Sequence, residues 1–349
     1  MPVKQTLIIV HGMGDPKDFE QEVIDSLNSG LKLYPGYKNK KIEQLVDVVY
    51  YDYNSVFDKY RKAMADSAKP FADRLAALRA AGQSPIEGDF LTWESKIDSD
   101  TFFRTHWLDV LFYCYTFLAE PARIGLATKI VQAVDEKGAQ NVHVLGHSLG
   151  TSVVHDTLES LYKKYEGHKR KKNLDPSTHR LGSVHLVANV SNLLESFCDV
   201  EKSLVRPPDG CTNAYFQYRH AVDPITWPSP FEPIENGFWT SAVIADDLQY
   251  RAVRPTAVLD LNTHAVTHYL RDPVCHGPLL QMLGLDLTYA DIMSAAETYS
   301  EDSLQGKAEL LRDRWKALGV DRLEGIPALI QAAQALRDML ANFGKTFKE

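Results

Sequence analysis

Val142-His-Val-Leu145-Gly146-His147-Ser148-Leu149-Gly150-Thr151 is the stretch whose pattern decides the fold. A short apolar run, 142–145, leads straight into Gly-x-Ser-x-Gly, and 151–161 continues in a helical pattern. Strand, sharp turn and helix in that order make a nucleophile elbow, in which a strained turn lifts a serine hydroxyl to the top of a sheet. Side chains at Gly146 or Gly150 would collide with the neighbouring strand and helix, so both positions call for glycine. The helix that follows aims its first N–H groups at the place where negative charge would develop, and Leu149 becomes a candidate oxyanion donor.

Outward from the elbow, five more runs carry the strand pattern: 6–10 before His11-Gly12, 45–51 before Asp52-Tyr53-Asn54, and then 184–190, 214–218 and 257–261. Short β-branched runs with helical patterns between them predict βα units. The fold class is therefore α/β, with a mostly parallel central sheet of at least six strands flanked by helices. Residues 57–78 are helical in pattern and 102–120 form an aromatic-rich apolar helix, so a helical cap insertion is expected at about 55–125. The 102–120 helix reads as core, with a lid over an apolar pocket as the competing account. Beyond residue 289 the pattern turns to long amphipathic helices, 305–318 and 326–343. The expected organisation is a catalytic domain over 1–288 and a helical C-terminal extension over 289–349.

A serine hydroxyl needs a histidine base, itself oriented by a carboxylate, and in this elbow fold the chain order is serine, acid, histidine. Asp223, in the loop after 214–218 and before Pro224, is the expected acid. After the last strand two histidines compete. His268 is preferred because it opens a helix-like segment, which leaves His264 as its neighbour in the pocket. His11-Gly12-Met13-Gly14 ends the first strand and brings the Met13 amide towards the elbow as the second oxyanion donor. His11, Gly12 and His147, whose ring is expected to turn aside from Ser148, are candidate substrate-binding residues. Trp107, Phe112 and Trp227 are candidates for an apolar acyl wall. His220 and His276 read as surface or packing residues.

These residues resemble the α/β-hydrolase superfamily, and more particularly its lipase-like and esterase-like serine hydrolases. The matching pieces are His11-Gly12-Met13-Gly14, Gly146-His147-Ser148-Leu149-Gly150, Asp223-Pro224-Ile225 and His268-Tyr269, spread over residues 4–285. The 216–233 segment is similar to the acid loop of intracellular phospholipase-type hydrolases. The long interval between His11 and Ser148 and the tail beyond residue 289 depart from a minimal hydrolase. The resemblance implies a carboxylester hydrolase that works through an acyl-enzyme on an apolar or lipid-like ester. Thioesterase, lactonase, amidase and acyltransferase chemistry use the same residues, and a non-catalytic scaffold on the same fold is the reading from a different class.

Composition fits this expectation. The chain has 349 residues, 44% hydrophobic and 24% charged, with a net charge of −8. Those proportions belong to packed domains and set aside disorder and small stapled scaffolds. A net-acidic chain with one short basic run, 163–172, lacks the continuous positive surface that nucleic acid requires. That run reads as a solvated loop, with transient contact to an anionic membrane surface as its alternative. Four scattered cysteines and no long apolar stretch predict reduced thiols, no membrane span and a cytoplasmic protein. No motif for a metal or nucleotide is present, so the expected cofactor is none and the expected partner is a small-molecule or lipid ester.

Overall fold

Alternate residues of β1 (Thr6–Val10) part to opposite faces of a sheet: Ile8 and Val10 join one core cluster, Leu7 and Ile9 the other. A strand covered on both faces has no solvated side, which is why its sequence is a continuous apolar run. The computed structural model describes residues 3–12, 18–55, 119–163, 174–194, 199–207, 209–227, 229–239, 249–258 and 262–300. Among these, β1 joins β2 (Asp47–Tyr51), β3 (Val142–His147), β4 (Leu181–Val187), β5 (Thr212–Tyr218) and β6 (Tyr250–Val253). The order across the sheet is β2-β1-β3-β4-β5-β6, and every neighbouring pair is parallel.

Helices α1 (Phe19–Leu31), α5 (Val266–Arg271) and α6 (Pro273–Met282) cover one face, where Val23, Leu27, Tyr269, Leu270 and Leu279 pack on Leu145, Val187 and Phe216. On the other face α3 (Ala119–Lys137) and α4 (Leu149–Tyr162) press Leu126, Ile130, Val153 and Leu158 onto Val144, Val184 and Leu186. Each such aliphatic side chain gains about 1.5–3 kcal/mol on leaving water. A short α2 (Ile42–Leu45) leads into β2, and α7 (Tyr289–Ser300) packs on α6 with Ile292 against Gly277.

The sixth strand is not where the apolar run 257–261 placed it. Tyr250–Val253 pairs with β5, while Ala257 and Val258 are buried without strand pairing and 259–261 lie outside the described residues. β6 reads Tyr-Arg-Ala-Val, and its charged second residue hides the strand from a search for apolar runs. Of the expected cap, 56–118 lies outside the described residues, and 119–125 belong to α3 on the sheet. The basic segment 164–173 and the tail 301–349 also lie outside them. Among the described residues no helix is long and apolar enough to cross a membrane.

This topology fixes one place for a site. The chain runs from β1 to β2 on one side, returns to β3 on the other side of β1, and then continues outward. Connections that leave β1 and β3 in opposite directions open a crevice at their carboxyl ends, the position where open parallel sheets bind ligands. Val10 and Gly146 are level in the β1–β3 register, so His11-Gly12 and His147-Ser148 emerge side by side.

Candidate active site

Ser148 sits between β3 and α4 at φ 52°, ψ −126°, a backbone conformation that L-residues seldom adopt. Holding it costs about 1–3 kcal/mol, and the surroundings hold it from both sides. Its N–H donates to Val187 O at 3.0 Å, and its carbonyl accepts from Thr151 N at 2.9 Å and Thr151 Oγ1 at 2.6 Å. Thr151 Oγ1 in turn accepts from Val190 N at 3.2 Å, which ties the elbow to the end of β4. Close approach explains the glycines. A Cβ on Gly146 would lie 2.9 Å from Gly150 O, and one on Gly150 would run into the backbone oxygens of His11 and Val10.

The serine hydroxyl is the first member of a hydrogen-bonded relay. Ser148 Oγ lies 2.9 Å from His264 Nε2, and His264 Nδ1 lies 2.8 Å from Asp223 Oδ2. A carboxylate only accepts, so Nδ1 carries the ring hydrogen and Nε2 offers a lone pair to the hydroxyl. The three side chains come from the ends of β3 and β5 and from the loop before α5. Asp223 is fully buried, which works to raise its carboxyl pKa, but the facing His264 and hydrogen bonds from His264, Tyr269 and the Ile225 amide outweigh burial and hold it below the ordinary value. It is thus an ionised carboxylate with Oδ2 accepting from Tyr269 OH at 2.7 Å and Oδ1 from Ile225 N at 3.1 Å.

The structure brings Ser148 and Asp223 together as expected from sequence, but joins them through His264 and not His268. The reason is the start of α5. Ala265 is its N-cap, so His264 still belongs to the turn before the helix, closed by Ala265 N–H donating to Asn262 O at 3.1 Å, and reaches over the elbow. His268 lies within the helix, buried, with its ring edge-on to His220 at a centroid distance of 4.8 Å. His147, beside the serine, has a definite task. Its Nε2–H donates to His264 O at 2.8 Å, fixing the loop that carries the base. Burial, then repulsion from His264, pulls the His147 pKa down to about 3, so it stays neutral beside an imidazole that becomes charged.

On the β1 side, Gly12 touches the elbow so closely that a Cβ there would lie 2.8 Å from Ser148 Cβ. The Gly12 carbonyl accepts from Tyr53 OH at 2.5 Å and lies 2.6 Å from His11 Nδ1. His11 stacks on Tyr53 at 4.0 Å and pairs with Asp52 at 3.1 Å. The sequence shows Tyr53 only as part of a turn and Tyr269 only beside His268, with no role for either; the signal was position, one just past the strand beside β1 and the other five residues after the base. Leu149 begins α4, and its amide opens the helix next to Ser148. Trp227 donates Nε1–H to Ala221 O at 3.2 Å and so braces the acid loop. His220 and His276 are buried packing residues: His220 Nε2 donates to Ala257 O, and His276 Nδ1 to Leu270 O. Met13, Trp107 and Phe112 lie outside the described residues. Among the described residues no group of three or more His, Cys, Asp or Glu is placed to hold a metal ion.

Compared with known proteins, the chain matches no protein-family model and no curated protein sequence.

Proposed function

We propose that this chain is a serine hydrolase of the α/β-hydrolase type that cleaves a carboxylic ester of an apolar or lipid-like acid through an acyl-enzyme. The observation that carries the reading is the Ser148–His264–Asp223 relay on a strained elbow at the sheet's switch point. A six-strand parallel sheet flanked by helices is compatible with that fold family. Ser148 Oγ bonds to the ester carbonyl carbon while its proton passes to His264 Nε2. As the tetrahedral intermediate collapses, the bond to the leaving oxygen breaks and that proton goes to the alkoxide. Water then repeats the sequence on the acyl-enzyme and releases the acid. Asp223 retains the Nδ1 hydrogen bond throughout and balances the transient imidazolium. The Leu149 amide, at the positive end of α4, faces the developing oxyanion. The apolar acyl group is the finer part of the proposal and rests on the aromatic-rich 102–120 sequence.

A fluorophosphonate probe tests the reading directly. Wild type is expected to label at Ser148, Ser148→Ala not at all, and His264→Ala about 10⁴-fold more slowly or less. His268→Ala should label at close to the wild-type rate. Folded wild type that resists the probe would overturn the proposal in favour of a binding protein on this scaffold. Matched ester, thioester and lactone substrates, each in several acyl lengths, then sort the substrate class.

A further inference from the structure

A cavity of about 570 Å³ opens at the β6 edge of the sheet and shares no lining residue with the Ser148 relay. Its volume lies within the range of small-molecule sites. Val253 from β6, Val274 and Pro278 from α6, and Ile292 and Met293 from α7 give it an aliphatic wall. Tyr289, also lining it, leaves 63% of its surface in water.

Two arginines stand on the rim, and their circumstances differ. Arg254 is shared between Glu232 at 3.5 Å and Glu235 at 3.8 Å. The Arg251 backbone pairs with β5, but its guanidinium has no hydrogen bond or ion pair with any described residue; the guanidinium carbon lies 6.0 Å from the Tyr289 ring centre. A guanidinium whose five donors meet no described residue, set beside an apolar wall, is matched in shape by a carboxylate, which it binds through two parallel bonds. One uncommitted positive charge suits a single negative charge. A dianion would also meet Glu232 and Glu235 beside Arg254.

We propose that this cavity binds an aliphatic monocarboxylate, its head clamped by Arg251 and its chain laid along Val253, Val274, Pro278, Ile292 and Met293. The site stands whether or not Ser148 cleaves esters.

The test measures binding of decanoate by calorimetry, beside decanol and decyl phosphate, to wild type, Arg251→Met and Met293→Trp. Arg251→Met keeps the stem and removes the charge, whereas Met293→Trp fills the cavity and keeps the charge. Decanoate should bind wild type, bind each folded variant about tenfold more weakly or worse, and outbind both decanol and decyl phosphate. A decanoate bearing a terminal diazirine should crosslink wild type within 273–278 or 289–293, and this readout decides the matter if a variant fails to fold. Equal binding to folded Arg251→Met, decanol or decyl phosphate binding as tightly as decanoate, or crosslinks confined to 147–149 and 264 would each overturn the proposal.

Discussion

Asp223 Oδ2 accepts two hydrogen bonds, one from the base His264 and one from Tyr269 OH, while the same Tyr269 oxygen accepts from His220 N at 2.9 Å. Tyr269 is fully buried, and its hydroxyl ties the acid loop to α5. Tyr269→Phe keeps the ring packing and removes one donor from a buried carboxylate and one acceptor from a backbone amide. A hydrogen bond to a charged group contributes about 1.5–3 kcal/mol. Turnover of a model ester should fall about tenfold with KM nearly unchanged, because the acid is no longer held square to His264. Unchanged kcat, or a loss confined to KM, would remove Tyr269 from the positioning of the acid. The same scale shows what single residues disclose in sequence. Ser148 and Asp223 were legible because motif and chain order constrain them. The choice between His264 and His268 was not, since it depends on where α5 begins, and nothing at Ala265 marks an N-cap: it has no side chain to accept a helix N–H.

At the scale of elements, the elbow works because α4 and the end of β1 touch. Gly150 is where they meet, its would-be Cβ overlapping the His11 carbonyl oxygen and lying 2.8 Å from Val10 O. Backbone atoms cannot swing aside as a side-chain tip does, so Gly150→Ala must push α4 off β1 or twist the turn. A cost of about 2 kcal/mol or more is expected, with slower fluorophosphonate labelling because Ser148 moves relative to His264. A melting temperature and labelling rate equal to wild type would show that the β1–α4 contact does not hold the elbow. Elements also mark how far patterning reaches. β1 and β3 were readable because both faces of each are covered, and β2, β4 and β5 because each keeps a run of Val, Leu, Tyr or Phe that packs on the two clusters. β6 escaped because an edge strand can carry Arg251 on one side and remain paired on the other.

Over the whole molecule, buried neutral histidines are a recurring device. Tyr218 OH donates to His185 Nδ1, His185 Nε2 to Ser183 Oγ, Ser183 Oγ to His143 Nδ1, and His143 Nε2 to Gln5 Oε1, each at 2.7–2.9 Å, so one directed chain crosses β5, β4 and β3. Burial holds His143 and His276 down to about 4 and His147 and His155 down to about 3, whereas an unfolded histidine titrates near 6.5. Above pH 6.5 both states leave these rings neutral and stability is fully present. Below it the unfolded chain takes up protons that the fold refuses, so stability falls until pH 3–4. Asp272 acts in the opposite sense, since burial raises its folded pKa to about 6 and the fold binds its proton first. Those four histidines against Asp272 alone give a slope of about 4 kcal/mol per pH unit near pH 5, and buried His185 and His220, also held below their ordinary value, act in the same direction; this is steep beside a total stability of about 5–15 kcal/mol. Urea unfolding at a series of pH values should therefore show a midpoint that holds from pH 8 to 7 and then drops sharply between 6 and 4.5. His143→Gln should flatten that drop by up to about 1.4 kcal/mol per pH unit, the share of one histidine, even though it weakens the fold at neutral pH. A midpoint that stays level to pH 4.5 would mean that these rings accept protons inside the fold, and the directed chain across the sheet would have to be redrawn.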